Sequence, residues 1–153
     1  MEPRPLNERE TEPVVLPQAG FATHALHGAG SIRRAIDPDL AGSRRLFVGL
    51  AEFGPGTAPH VFHRHGSELV GAPGARRELR YADDFEEFDF VVEGRGELQW
   101  RLADGRAKAP PVHAGDAVCF PPAVAEHRVF NTGDTVMHVL YGGTPPAAVI
   151  AID

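Results

Sequence analysis

His63 and His65 stand two residues apart in a run, His60 to His65, whose composition reads as a strand. In a strand, side chains two apart leave the same face, so both imidazoles project together. Two neutral ring nitrogens converging from one strand are a natural half-site for a transition metal. Further along, Glu87-Phe-Asp-Phe-Val-Val-Glu-Gly94 opens a strand with a carboxylate, and Gly115-Asp-Ala-Val-Cys-Phe-Pro121 precedes His127-Arg-Val-Phe-Asn131. Parity from Glu87 puts Asp89 and Val91 on its own face and Phe88, Phe90 and Val92 on the other. Asp89 then faces the interior, where a carboxylate is costly unless hydrogen-bonded, protonated or functional. Two roles are open to it: a general acid or base, or a group that orients a ligand histidine.

The elements that must carry these residues are short strands. Strand-like segments run from Arg45 to Phe53, His60 to His65, Glu87 to Val92, Gly96 to Leu102, Asp116 to Phe120, His127 to Asn131 and Val136 to Tyr141. Turn chemistry separates them, as in Gly54-Pro55-Gly56, Ala103-Asp104-Gly105 and Thr132-Gly133-Asp134. Seventeen glycines and fourteen prolines punctuate the chain, which points to an all-β sandwich or jelly-roll barrel. Residues 1–19 read as a flexible or partner-contacting arm, and 20–153 as one domain with its core motifs at about 45–141. Arg33 to Leu40 suits a short helical turn limited by Pro38. Ala107 to Pro111 reads as a linker, and residues 66–86 as an inserted hairpin or loop around a Pro-Gly turn.

Taken together, the motifs resemble the cupin superfamily, whose two signatures are G(X)5HXH(X)3-4E(X)6G and G(X)5PXG(X)2H(X)3N. The histidine pair falls on His63 and His65, the glutamate and glycine on Glu87 and Gly94. In the second signature, Gly115, Pro121, His127 and Asn131 take their places. The resemblance implies a double-stranded β-helix of the small, single-domain, bacterial metal-binding type. It further implies that His63, His65, Glu87 and His127 hold one divalent transition metal, with Fe, Mn, Ni and Zn all open.

The chain departs from the signatures at several points. Six residues separate Gly56 from His63, Ala123 replaces the second-motif glycine, and one extra residue precedes His127. Twenty-one residues, 66–86, separate His65 from Glu87 where three or four are expected. Glu68 is the rival carboxylate, although a turn sequence rather than a strand follows it. The insertion itself suits either a lid over the site or a surface and dimer contact. Arg76, Arg77 and Arg80 within it suit an anionic substrate or a solvated cluster. Of the remaining histidines, His60 has the opposite parity to the pair and reads as structural or superficial, and His138 as a core histidine. Cys119 reads as a small buried hydrophobe.

A net charge of -6 leaves no electrostatic footprint for nucleic acid or an anionic membrane. No run approaches the ~20 apolar residues of a membrane span, and a cytoplasmic protein is expected. Retention of four metal ligands favours an enzyme acting on a small molecule. The leading expectation is a dioxygenase of an aromatic or organic-acid substrate. Lyase or isomerase chemistry on the same site, with Asp89 moving a proton, and a non-catalytic sugar or effector binder are the alternatives. The resemblance also implies a homodimer, with outward Phe88 and Phe90 and the apolar Val14 to Leu16 available to it.

Overall fold

The computed structural model describes residues 13–24, 29–70 and 77–151. In chain order the strands are β1 (Ala22–His24), β2 (Ser31–Ile36), β3 (Phe47–Phe53), β4 (Ser67–Val70), β5 (Arg77–Arg80), β6 (Glu86–Glu93) and β7 (Arg95–Arg101). They continue with β8 (Ala107–Lys108), β9 (Pro111–His113), β10 (Ala117–Phe120), β11 (Glu126–Asn131), β12 (Met137–Thr144) and β13 (Ala148–Ala151). A single turn of helix, α1 (Pro38–Ala41), follows β2.

One sheet runs β1-β2-β3-β12-β6-β10, and a second runs β11-β7-β8 with β9 also paired to β7. All the pairings are antiparallel, and the two sheets form the jelly-roll that the turn spacing implies. Alternation sets the core. On β3 every second residue from Phe47 to Phe53 is buried, and on β11 His127, Val129 and Asn131 turn inward together. Phe53, Val91 and Met137, each at most 1% exposed, are the most deeply buried large apolar side chains of the core. Among the described residues no helix is long and apolar enough to cross a membrane.

Two motif positions explain themselves through the backbone. Gly94 makes the one-residue turn from β6 to β7 at φ +91°, and a Cβ there would press on Met137 at 3.0 Å. Asn131 is fully buried: its Nδ2 donates to the carbonyls of Phe53 and Thr135, and its Oδ1 accepts from Gly133 N. It therefore ties the turn after β11 to the end of β3.

Several expectations are corrected. The run from His60 to His65 is not a strand; it joins the sheets only through an isolated bridge between His63 and His127. The helical turn expected from Arg33 begins later, because β2 claims residues up to Ile36. Pro38 starts α1 rather than limiting it, and the Asp37 carboxylate caps it by accepting from Asp39 N and Leu40 N. The linker expected at Ala107 to Pro111 contains β8 and leads into β9, which pair with β7. Cys119 is exposed, because its neighbour Phe120 takes the inward position on β10. The hairpin expected in the insertion is formed by β4 and β5, and β13 adds to it from the far end of the chain. Residues 71–76, Arg76 among them, and most of the expected 1–19 arm lie outside the described residues.

Ala123 sits at φ +58°, a left-handed conformation that costs any residue with a Cβ. Ala123→Gly is expected to stabilise the protein by up to about 1 kcal/mol, after the entropy of a new glycine is subtracted. The midpoint of urea unfolding measures it.

Candidate metal centre

His127 comes from β11, where the ladder to β7 makes Trp100 its partner. On the other side of β11, His63 and His127 exchange two backbone hydrogen bonds, N to O at 3.1 Å and 2.9 Å. This bridge fixes the segment carrying the histidine pair. From outside, Phe62 is held under the guanidinium groups of Arg101 and Arg128, at 3.8 and 4.5 Å from its ring centroid.

The ligand atoms of His63, His65 and His127 all lie within 4.8 Å of one another. Glu87 stands at the edge of the cluster, with Oε2 3.7 Å from His65 Nε2. It points inward from β6 in the same alternation as Asp89 and Val91, while Phe88, Phe90 and Val92 are exposed. The side chain of the rival Glu68 lies outside the described residues.

Hydrogen bonding selects the tautomers. Nδ1 of His63 lies 3.1 Å from the Val61 carbonyl, and Nδ1 of His127 lies 2.8 Å from the Ala125 carbonyl. A carbonyl only accepts, so both Nδ1 atoms carry the proton and leave the Nε2 lone pairs free. His65 Nδ1 is buried with no hydrogen-bond partner. Three neutral imidazoles with a carboxylate beside them are a donor set that fits Fe, Mn, Ni or Zn.

Aromatic packing keeps the cluster neutral. Phe120 stacks on His127 at 4.4 Å between centroids, and Phe85 meets His65 edge-on at 4.9 Å. Burial pushes His65 down to about 3, with His127, His63 and His60 adding repulsion. Burial also takes His127 down to about 4, against the raising effect of its bond to Ala125, and it lowers His63. Asp89 responds oppositely, raised to about 7 because burial disfavours its charged form.

A small pocket of about 40 Å3 opens over the cluster. Glu87, Asp89, His63 and His127 line it, and so do His60 and Tyr141. Sequence reasoning set His60 aside, yet its ring lies 4.6 Å from that of His63. The parity argument failed there because no strand ladder exists to enforce alternation. His138, expected in the core, is instead on the outer face between Glu52 and Glu93, at 3.2 and 3.1 Å. In the insertion, Arg80 pairs with Glu78 at 2.7 Å.

In the metal-free protein, the buried carboxyl and imidazoles act on stability in opposite directions. Asp89 holds its proton more tightly folded than unfolded, so its cost is absent below pH 3.8 and complete above about 7. The histidines release theirs on folding, so their cost appears as pH falls below 6.5. Asp89→Asn is expected to stabilise chelator-treated protein by about 2–4 kcal/mol at pH 8. That gain should vanish near pH 4 in thermal melts.

The cupin domain family model matches residues 70–142, which include Glu87 and His127 but not the His63–His65 pair. Comparison of the sequence with curated proteins returns no match. Among solved structures, a protein of Acidithiobacillus ferrooxidans, named as a candidate sugar phosphate isomerase, aligns at 22% identity and TM-score 0.50. The alignment covers 78% of this chain and 65% of that one. Oxalate decarboxylase of Bacillus subtilis, described with Mn(II) centres, aligns at 18% identity and TM-score 0.55 over 81% of this chain and 28% of that one. An oxalate decarboxylase predicted in Thermotoga maritima aligns at 16% identity and TM-score 0.56, over 91% of this chain and all of that one. This chain thus spans less than two thirds of the first two proteins. At such identities the likeness speaks for the fold. With the family match over just under half of the chain and the strand order, it gives the chain a cupin-type fold.

Proposed function

We propose that this protein is a metal-dependent cupin enzyme acting on a small organic molecule, with one divalent metal held by His63, His65, His127 and Glu87. The observation that carries this reading is the convergence of three histidine ligand atoms within 4.8 Å. A metal bound there would supply Lewis acidity toward a substrate oxygen or, as iron or manganese, redox chemistry with dioxygen.

The chain's own residues supply the rest. His63 and His127, oriented by their Nδ1 hydrogen bonds, present Nε2 without a proton having to leave first. Glu87, beside His65, would offset part of a bound metal's charge. Phe120, Val129 and Val139 line the pocket and keep water from much of its wall. Asp89 faces the same space two residues from Glu87, and its carboxyl oxygen is placed to give or take a substrate proton. That placement favours lyase or isomerase chemistry, in keeping with the names of the structural neighbours. The donor set equally suits Fe(II), which supports dioxygenation as the second reading. The exposed Phe88 and Phe90 support the homodimer, and a cytoplasmic setting completes the proposal.

Purified protein is expected to carry about one metal per chain by elemental analysis, and His63→Ala or His127→Ala to abolish it. Full occupancy in Glu87→Ala would move the carboxylate role elsewhere, with Glu68 next to test. A screen of small organic acids, oxalate among them, and sugar phosphates should reveal turnover that persists without oxygen. Asp89→Asn should lower that turnover by about 100-fold or more while metal content stays unchanged. Oxygen uptake in step with turnover would establish the dioxygenase instead, and a bound ligand with no turnover would leave a binding module.

A further inference from the structure

Val61, Phe62 and His63 form a unit with two different surroundings. His63 lines the pocket, and its Nδ1 donates to the Val61 carbonyl at 3.1 Å, which orients the ring. Phe62, between those two residues, turns the other way, to the outer face of the second sheet. There Arg101 of β7 lays its guanidinium over the Phe62 ring, 3.8 Å from the centroid, and Arg128 of β11 does so at 4.5 Å. Alternation on β11 sends His127 inward and Arg128 outward. One strand therefore carries a candidate metal ligand on one face and half of a clamp on the other.

The arginines are arranged for this contact. Arg128 Nε donates to Gln99 Oε1 at 2.8 Å, and Gln99 Nε2 donates in turn to Glu97 Oε2 at 2.9 Å. Its guanidinium also stands 4.9 Å from the Phe130 ring. Among the described residues neither Arg101 nor Arg128 forms an ion pair with a carboxylate, which leaves the electron-rich ring face to attract both. The backbone shows why a clamp is needed here. Residues 60–65 belong to no strand and meet β11 through the isolated bridge at His63. That bridge fixes the backbone of His63, and the clamp on Phe62 fixes the chain just before it, where the Val61 carbonyl lies.

We propose that Arg101, Phe62 and Arg128 form a positioning element of the metal site, which aims His63 Nε2 by holding the Val61 carbonyl against Nδ1. A carbonyl beside Nδ1 keeps the ring proton there and leaves the Nε2 lone pair for a metal. With Phe62 loosened, that carbonyl is free to swing away, and either ring nitrogen can then carry the proton. His127 makes the same kind of bond, to Ala125, but stands inside the β11–β7 ladder and has less need of a clamp. It serves as the internal comparison. The inference rests on the metal-centre reading and adds to it three residues that touch neither metal nor substrate.

Two readouts test it: Zn(II) affinity by chelator competition, and the imidazole nitrogen shifts of metal-free protein at about pH 8, where the rings are neutral. Phe62→Leu keeps an apolar side chain but removes the ring, and should weaken Zn(II) binding by about tenfold or more. Arg101→Met and Arg128→Met each keep a long apolar stem without the charge, and should cost several-fold. Phe62→Trp offers a better ring for the cations and should match or exceed wild type. In metal-free protein the leucine and methionine variants should turn His63 from one Nδ1–H form into a mixture, while His127 stays unchanged. If Phe62→Leu does not fold, the two arginine variants decide by the same readouts. Wild-type Zn(II) affinity in both methionine variants overturns the proposal, as does an unchanged His63 form in both, since packing alone would then hold Phe62. A wild type that takes up no Zn(II) overturns the metal-centre reading instead, and the His63 shifts still decide the clamp.

Discussion

The pair of backbone hydrogen bonds between His63 and His127 is the contact on which the site depends. The segment from His60 to His65 belongs to no strand, so no ladder would hold it in place without this bridge. Because His127 is already fixed by β7, the bridge transfers the rigidity of the second sheet to the histidine pair. Gly66 continues the effect: its carbonyl accepts from Tyr81 N and ties the start of the insertion to its end. The chain can therefore leave the barrel for the β4–β5 hairpin and return with Glu87 beside His65. In a site of this kind a displacement of about 1 Å matters, which is why so short a contact carries such weight.

Burial is the second organising force, and it works on each group according to its charge. Packed among Phe85, Phe120 and Tyr81, the imidazoles are held neutral, the state in which a nitrogen lone pair is available. The same dry surroundings favour the protonated form of Asp89. Neutral bases and a neutral acid thus share a pocket without strong repulsion between them.

Parity separates the parts of the site that could be read in advance from those that could not. On β6, the alternation of Glu87, Asp89 and Val91 against Phe88, Phe90 and Val92 was legible because pairing with β12 and β10 enforces a period of two. The same reasoning failed for His60, where no ladder exists, and its ring stands beside His63. For Cys119 and His138 the period held, but composition could not say which of the two faces was inward. β1, β8, β9 and β13 escaped notice because each is very short or joins partners remote in sequence.

By itself the sequence determined the all-β class, the turns that divide it and the identities of the residues with metal-binding chemistry. These are local matters: residue type, spacing and the glycine or proline that ends a strand. It also marked position 123 as exceptional, although only the backbone revealed the left-handed conformation that an alanine occupies there. What the tertiary structure alone decided is which groups meet. Glu87 returns to His65 across the insertion, His60 reaches the pocket, and Tyr141 lies over Gly49 toward Arg34. Those neighbours are chosen by sheet register and by the packing of one face against another, and neither is a property of adjacent residues.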